Sequence, residues 1–368
     1  MVSSPVVPVN DLGRLIEEES SHLMVTISEK VKSAVFLNGT SIDDLETRIG
    51  QYLGGRTSLS VANGTDALFI ALSALGVQSG DAVATVGNAA GYSTNIILRH
   101  RATPIICDID PSTAQISIDS LRSCIEKKGS LRALIVTHLY GLLTNIDEIA
   151  ELCCEFDIKL IEDCAQAFGA RLTGSPAGSW GDAAAFSFYP TKNLAALGDG
   201  GMVAFKNSEA CARARKIAQY GWSSRYEVEL PDGINSRLDE IQAAVVLHRL
   251  GSVDSRNSRR RDILRRYAEA VIMPRRFIFD DSERCVAHLA VMRTPTRDRD
   301  RKILNNHGID TAIHYPIPDH HQPAWQHLFG GVSLPNTEAH CQEVLTLPCF
   351  PELTEEEIVR VCEALQSL

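Results

Sequence analysis

Between Ser58 and Phe205 the sequence alternates short β-branched or apolar runs with segments of helical periodicity. This alternation is the feature that most constrains the fold, because it is typical of a mainly parallel sheet covered by helices on both faces. The chain is therefore predicted to be an α/β protein with a seven-stranded sheet. The predicted strands are Leu59–Ala62, Ala82–Thr85, Pro104–Cys107, Ala133–Thr137, Lys159–Ile161, Ala183–Phe188 and Met202–Phe205.

Helical patterns fill the intervals between these strands. One helix is predicted over Gly64–Leu75 and another over Asn145–Phe156, where Asn145 is the expected N-cap and Glu148 completes a capping box. Beyond Arg237 long helices dominate, so a domain boundary is predicted near residue 250. The prediction is a large domain of residues 1–250 and a smaller C-terminal α+β domain of residues 251–368. The arginine-rich stretch that follows residue 253 favours a solvated helix face over a phosphate-binding one.

Charge and hydropathy exclude several classes of protein. The net charge of −10 argues against a general nucleic-acid binder, which needs a basic face. No apolar stretch approaches the roughly 18 residues of a membrane span, and the first residues lack the pattern of a secretory signal, so a cytoplasmic protein is expected. His314 and the pair His320–His321 lack the spacing of a zinc site, so no metal is predicted.

A small flexible turn lies between the first predicted strand and its helix. Gly64 permits a close approach, Thr65 adds a hydroxyl group, and the free N–H groups of the helix N-terminus attract anions. These features predict a phosphate site. A plain turn with an N-cap is the alternative, and it is the commoner reason for such a sequence.

An acidic pair follows the apolar strand that begins at Lys159. Carboxylates at the carboxyl end of a sheet strand face the crevice in which open α/β folds bind ligands. Asp163 is therefore a candidate partner for a cationic ring nitrogen, which would keep a pyridine ring protonated as an electron sink. Capping a helix is an equally good explanation for Asp163.

Lys192 stands after a buried strand and before a glycine-rich turn. Burial lowers the pKa of a lysine, as an amine that forms imines requires. Ser187, at the end of the same strand, is a candidate phosphate contact. A lone lysine in a loop is usually only solvated, so this motif depends on the other two.

Taken together, these motifs resemble the DegT/DnrJ/EryC1/StrS family of sugar aminotransferases, which have the type I fold of pyridoxal-phosphate (PLP) enzymes. The order and context of the motifs carry the resemblance, which extends over nearly the whole chain. The matching segments are Asn63–Leu68, Glu162–Ala167, Ser187–Leu194, Asn235–Ala244, Gly308–Pro316 and Leu347–Pro348.

The resemblance implies a role for each matching residue. Lys192 would hold PLP as a Schiff base and shuttle the proton between substrate and cofactor carbons. Asp163 would pair with the pyridine nitrogen, and Gln166 would hydrogen-bond the ring hydroxyl oxygen. Gly64, Thr65 and Ser187 would hold the phosphate. In the family, the residue at the position of Asn235 reaches the phosphate of the neighbouring subunit, which implies a homodimer with shared sites.

One stretch, Thr85–Thr94, departs from the family pattern. Ala90 stands where many members have an aromatic residue that stacks on the PLP ring. Tyr92, two residues further on, is a candidate to supply that ring instead. Packing of Tyr92 in the core is an equally good explanation.

The resemblance implies transfer of an amino group from L-glutamate to a nucleotide-linked keto-deoxysugar, most simply a dTDP sugar. A keto-cyclitol acceptor is an alternative within the family. Members with histidine in place of the lysine act as dehydratases, and the presence of Lys192 argues against that reaction. A non-catalytic PLP-binding regulator is the remaining alternative, although no DNA-binding feature is recognisable.

Overall fold

In the computed structural model, residues 5–368 are described. The strands in chain order are β1 (Thr57–Val61), β2 (Ala82–Val86), β3 (Thr103–Cys107), β4 (Ala133–Thr137), β5 (Lys159–Asp163), β6 (Arg171–Leu172), β7 (Ser175–Pro176), β8 (Ala183–Ser187), β9 (Gly201–Phe205), β10 (Trp222–Ser224), β11 (Glu227–Val228), β12 (Arg276–Phe277), β13 (Ala290–Arg293) and β14 (Val344–Leu347). All seven predicted strands are present, with ends that differ by at most two residues.

The helices are α1 (Leu12–Ser33), α2 (Thr40–Tyr52), α3 (Gly64–Ala74), α4 (Tyr92–Arg99), α5 (Ile118–Lys128), α6 (Ile146–Glu155), α7 (Ser208–Ile217), α8 (Glu240–Leu250), α9 (Val253–Ala270), α10 (Arg297–Asn306), α11 (Pro335–Glu343) and α12 (Glu355–Gln366). None of the helices between residues 5 and 368 is both long and apolar enough to cross a bilayer.

The central sheet has the strand order β1-β9-β8-β5-β4-β2-β3. Strand β9 runs antiparallel to both of its neighbours, and the other pairs are parallel. Since the parallel strands point the same way, the residues that follow β5 and β8 come to one edge of the sheet. The predicted α/β fold with a mainly parallel seven-stranded sheet is confirmed.

Helices cover both faces of the sheet, as the burial of β4 illustrates. All five residues of β4 are buried, which is typical of a strand covered on both sides. Leu134 and Val136 belong to a core with α2, α5, α6 and α8, whereas Ala133 and Ile135 belong to a second core with α3, α4 and α7. The first core draws residues from both sides of residue 250, and the domain division there stays a prediction.

The capping box predicted for α6 is wrong. The helix begins after Asn145, but the Asn145 side chain makes no cap hydrogen bond. Its Oδ1 instead accepts a hydrogen bond from Arg284 Nη2 at 2.8 Å. A partner that lies far away in the sequence has displaced the local capping bond.

The arginine-rich helix α9 is also less solvated than expected. Arg256 and Arg266 form ion pairs with Glu352 and Glu355, next to the start of α12. Arg260 is buried and donates a hydrogen bond to the Cys349 carbonyl. These arginines therefore fasten α9 to the C-terminal segment, and α9 itself packs against β12 of the three-stranded sheet β12-β13-β14.

Candidate active site

A cavity of about 220 Å³ opens at the carboxyl edge of the central sheet. Six of the eight predicted site residues line it, although they come from four separate segments of the chain. They are Gly64, Thr65, Tyr92, Asp163, Ser187 and Lys192. The same wall contains Asn63, Leu68, Ala165, Tyr189 and Asp199, which were not predicted as site residues.

The turn between β1 and α3 forms an anion cradle. Asn63 caps the helix by accepting a hydrogen bond from Asp66 N at 2.8 Å. Gly64 and Thr65, whose N–H groups have no partner within the helix, line the cavity. A Cβ on Gly64 would lie 2.8 Å from Ser187 Cβ, which is too close for any side chain. The backbone of Gly64 and the Ser187 side chain are thereby brought together, as a phosphate group requires.

Asp163 ends β5 and is buried, with 6% of its surface exposed. Its carboxylate accepts hydrogen bonds from Ala165 N at 3.1 Å and from the Thr137 hydroxyl at 3.3 Å. Burial raises the pKa of Asp163, while the Ala165 amide and the Lys192 charge oppose the rise. A cation that entered the cavity would stabilise the ionised form of this carboxyl group.

The other acidic residue of the pair, Glu162, has a structural role. It is fully buried and accepts hydrogen bonds from the backbone N–H groups of Gly178, Trp180 and Gly181, each at 2.8 Å. His138 Nε2 lies 3.0 Å from the same carboxylate. Because successive residues of a strand point to opposite faces, Asp163 meets the cavity and Glu162 holds the loop behind it.

Lys192 follows β8 in a turn closed by the hydrogen bond from its own N–H to the Tyr189 carbonyl, at 2.8 Å. Burial lowers the pKa of Lys192 to about 8, and the Asp163 carboxylate opposes this shift. A lysine with this pKa has roughly a tenth of its amine unprotonated at pH 7. Lys192 therefore combines a nucleophilic amine with a position in the cavity wall.

Gln166 is buried but does not line the cavity. Tyr140 N donates a hydrogen bond to its Oε1 at 2.7 Å, so Nε2 is the donor end of the amide. That Nε2 donates a hydrogen bond to the Tyr315 hydroxyl at 3.2 Å and has a second hydrogen to donate. The amide is thus oriented to donate, which is the polarity that a ring hydroxyl oxygen needs.

Asn235 lies away from the cavity of its own chain. It is exposed and pairs with Gln219 through an isolated β-bridge. Its predicted role in a neighbouring subunit stays a prediction.

Two histidines from the C-terminal half lie near Lys192. Burial and the Lys192 charge lower the pKa values of His288 and His314. His288 Nδ1 lies 2.9 Å from Asn193 Oδ1, beside the lysine in sequence. No motif around His288 marks it in the sequence, whereas Tyr189 and Asp199 lie in the same conspicuous segment as Lys192.

The sequence matches the DegT/DnrJ/EryC1/StrS aminotransferase family over residues 17–366. The chain belongs to this family. Among its relatives, a protein from Geobacillus stearothermophilus named "Pleiotropic regulatory protein" is 34% identical over 98% of this chain and 97% of its own. The dTDP-3-amino-3,6-dideoxy-α-D-galactopyranose transaminase of Aneurinibacillus thermoaerophilus is 37% identical over 98% of this chain and 99% of its own.

Two solved structures superpose closely on this chain. S. venezuelae DesV, in complex with a ketimine intermediate, matches with a TM-score of 0.94 and 34% identity, over 99% of this chain and 98% of its own. NtdA of Bacillus subtilis, with the bound cofactor PMP, matches with a TM-score of 0.90 and 29% identity, over 99% of this chain and 85% of its own. The fold is that of type I PLP-dependent aminotransferases, and the chain is an aminotransferase.

Membership in the DegT/DnrJ/EryC1/StrS family implies dependence on PLP, and the residues of the cavity fit this cofactor. A phosphate group matches the anion cradle, and a protonated ring nitrogen matches the buried Asp163 carboxylate. An aldehyde matches the Lys192 amine. Each of these complements follows from burial and hydrogen bonding in this chain.

Proposed function

We propose that this chain transfers the amino group of L-glutamate to a nucleotide-linked keto-deoxysugar, most simply a dTDP sugar, with PLP as cofactor. The observation that carries the proposal is the single cavity in which Lys192, Asp163 and the anion cradle meet. The choice of acceptor is supported by the 37% identity to a transaminase named for a dTDP-linked 3-amino-3,6-dideoxy sugar.

In this proposal each predicted residue binds one part of the cofactor. Gly64, Thr65 and Ser187 bind the phosphate, Asp163 pairs with the ring nitrogen, and Gln166 Nε2 donates to the ring hydroxyl oxygen. Tyr92 covers one face of the ring. When bound, PLP supplies an electron sink that makes the hydrogen on the amino-bearing carbon acidic.

Lys192 has two tasks. Its Nζ would hold the cofactor in the cavity until an amino donor enters. The same Nζ would then move a proton from the amino-bearing carbon of the donor to the cofactor, and would move a proton from the cofactor to the carbon of the acceptor in the second half of the reaction. A pKa of about 8 suits both directions, because an effective acid–base group has a pKa near the working pH.

A homodimer completes the site in this proposal. Asn235 reaches the cofactor phosphate of the partner subunit, and its exposure in the single chain leaves it available for that contact. Two sites, each with residues from both subunits, would then form one active unit.

The test begins with the half-reaction. The purified protein is loaded with PLP and mixed with L-glutamate, and 2-oxoglutarate and the pyridoxamine form of the cofactor are measured. We expect both products in equal amounts, and neither in Lys192→Ala. Bound PLP without this half-reaction would contradict the proposal and favour a regulatory role, which the name of the 34% identical relative also suggests.

The acceptor is tested next with the pyridoxamine-loaded protein. We compare a dTDP-linked 3-keto-6-deoxy sugar, a nucleotide-linked 4-keto sugar and a keto-cyclitol, each by its kcat/KM. The highest kcat/KM with a dTDP sugar is expected. A higher value with the keto-cyclitol would reject the nucleotide-linked substrate and leave the aminotransferase assignment intact.

A further inference from the structure

The loop before α4 has an unusual backbone at the point where the family aromatic residue is missing. Ala90 and Gly91 both adopt left-handed conformations, with φ of 57° and 74°. Tyr92 follows directly as the first residue of α4 and lines the cavity with 54% of its surface exposed. The direction of the Tyr92 ring is therefore set by this two-residue bend.

A segment of the C-terminal half holds the bend in place. Asp319 N donates a hydrogen bond to the Gly87 carbonyl at 2.8 Å, and the Thr94 hydroxyl donates to the Asp319 carboxylate. These two bonds attach Asp319 to both ends of the loop that carries Tyr92.

Trp325, from the same segment, lies against the centre of the bend. The indole atoms Cη2 and Cζ3 are 2.6 and 2.8 Å from the position that a Cβ on Gly91 would take. The indole also packs beside Ile106, Phe329 and Leu334. It thus fills the volume that any side chain at position 91 would need, so Gly91 and Trp325 are a matched pair.

We propose that Trp325 and Asp319 are positioning residues that hold the Gly87–Thr94 loop so that Tyr92 covers one face of the cofactor ring. The chain would thereby replace the missing aromatic residue with a tyrosine that is oriented from a distance. The proposal rests on the proposed function, because it assumes that PLP binds in this cavity. According to this proposal, the affinity for PLP also depends on Trp325 and Asp319, two residues that do not line the cavity.

The contact can be tested from either side. Trp325→Ala removes the indole, and Gly91→Ala inserts a methyl group where the indole lies. We expect each variant to weaken PLP binding to the apoprotein about tenfold, the size of one lost aromatic contact. Trp325→Phe, which keeps a ring at the position, should restore most of the affinity. Binding is measured by titration of the apoprotein with PLP and is followed by the visible circular dichroism of the bound cofactor.

Two matched controls separate positioning from stability. Phe329→Ala removes an aromatic ring from the same cluster without touching Gly91. Gly80→Ala imposes the same left-handed strain, at φ of 89°, where an added Cβ would meet nothing within 4 Å. Both controls should lower the melting temperature of the apoprotein, while PLP binds within about twofold of wild type.

A double-mutant cycle decides whether Trp325 acts through Tyr92. If it does, Tyr92→Ala combined with Trp325→Ala binds PLP no more weakly than Tyr92→Ala alone. Additive losses, or unchanged affinity in Trp325→Ala, would overturn the inference. If the wild-type apoprotein failed to bind PLP at all, the proposed function itself would fail, so the two failures are distinguishable.

Discussion

The cavity is bounded by two walls that are held in place in different ways. The strand-end wall, made of Gly64, Asp163, Ser187 and Lys192, is attached to the ends of hydrogen-bonded strands in the central sheet. The loop wall is the loop 87–94, from which Tyr92 lines the cavity, and it is held from behind by side-chain contacts to the segment 319–325, such as that between Thr94 and Asp319.

Because the two walls are held differently, the strand-end wall supplies the chemical groups and the loop wall adjusts the affinity for the cofactor. Groups on the strand-end wall are fixed by backbone pairing, so replacing one of them removes a chemical function and leaves its surroundings in place. Groups on the loop wall depend on one another, so replacing one shifts the whole wall slightly. We therefore expect large losses of activity from the first wall and modest changes of affinity from the second.

The largest effect is expected for Lys192→Ala. The variant lacks both the amine that binds the cofactor and the base that moves the proton, so the rate of transamination should fall at least about a thousandfold. The rate is measured as 2-oxoglutarate formed from L-glutamate and a keto-sugar acceptor. Lys206→Ala, which changes an exposed lysine just after β9, is the control and should retain full activity. A variant at Lys192 that kept a tenth of the activity would contradict its assigned role.

Asp163→Asn should lower kcat about a hundredfold, because the neutral amide no longer stabilises a protonated ring nitrogen. The apoprotein should be no less stable, since a buried charge has been removed.

The neighbouring change Glu162→Gln should have the opposite effect, with a loss of stability and little loss of kcat. It weakens the hydrogen bonds of three backbone N–H groups and costs about 2 kcal/mol of unfolding free energy. Chemical denaturation and kcat, measured on both variants, test this contrast.

The pH dependence of the rate of PLP binding should reflect the burial of the Lys192 amine in the strand-end wall. Burial disfavours the charged amine, so the reactive neutral form of Lys192 increases as pH rises through about 8. The rate at which the apoprotein captures PLP should therefore increase about tenfold between pH 7 and pH 9 and then level off. This rate of PLP capture is measured by stopped-flow absorbance.

Asp163→Asn provides an internal check on that midpoint. The Asp163 carboxylate raises the pKa of Lys192 against the effect of burial, so its removal should move the midpoint to lower pH. An unchanged midpoint would mean that the two side chains do not interact as the structure indicates.

The two walls also differ in how well their residues could be predicted from the sequence. The positions of Gly64, Asp163 and Lys192 were predictable, because each lies at or after the end of a strand whose apolar pattern is local in the sequence, whereas their roles were implied by the family resemblance. The capping box at Asn145 failed because Arg284, 139 residues away, takes its side chain. The support of the loop wall was not predictable either, since Thr94 and Asp319 are 225 residues apart and no local pattern connects them.

The smallest effect is expected from Thr94→Val on the loop wall. Thr94 is buried, and valine has nearly the same shape, so the change removes little more than the hydroxyl group that donates to Asp319. Burial already raises the pKa of Asp319 to about 7, and the loss of this donor should raise it further. The carboxyl group then stays protonated over a wider pH range, and its attachment to α4 is lost.

We expect Thr94→Val to weaken PLP binding about threefold and to lower the unfolding free energy by about 1 kcal/mol, as for one lost hydrogen bond. Thr311→Val is the matched control. Thr311 is also buried, but its hydroxyl has no hydrogen-bond partner within residues 5–368, so the substitution should change neither quantity. Isothermal titration of both apoproteins with PLP measures the difference. A loss of kcat for Thr94→Val as large as the hundredfold loss expected for Asp163→Asn would contradict the distinction between the walls. The loop wall would then contribute to the chemistry as well as to the position of the cofactor.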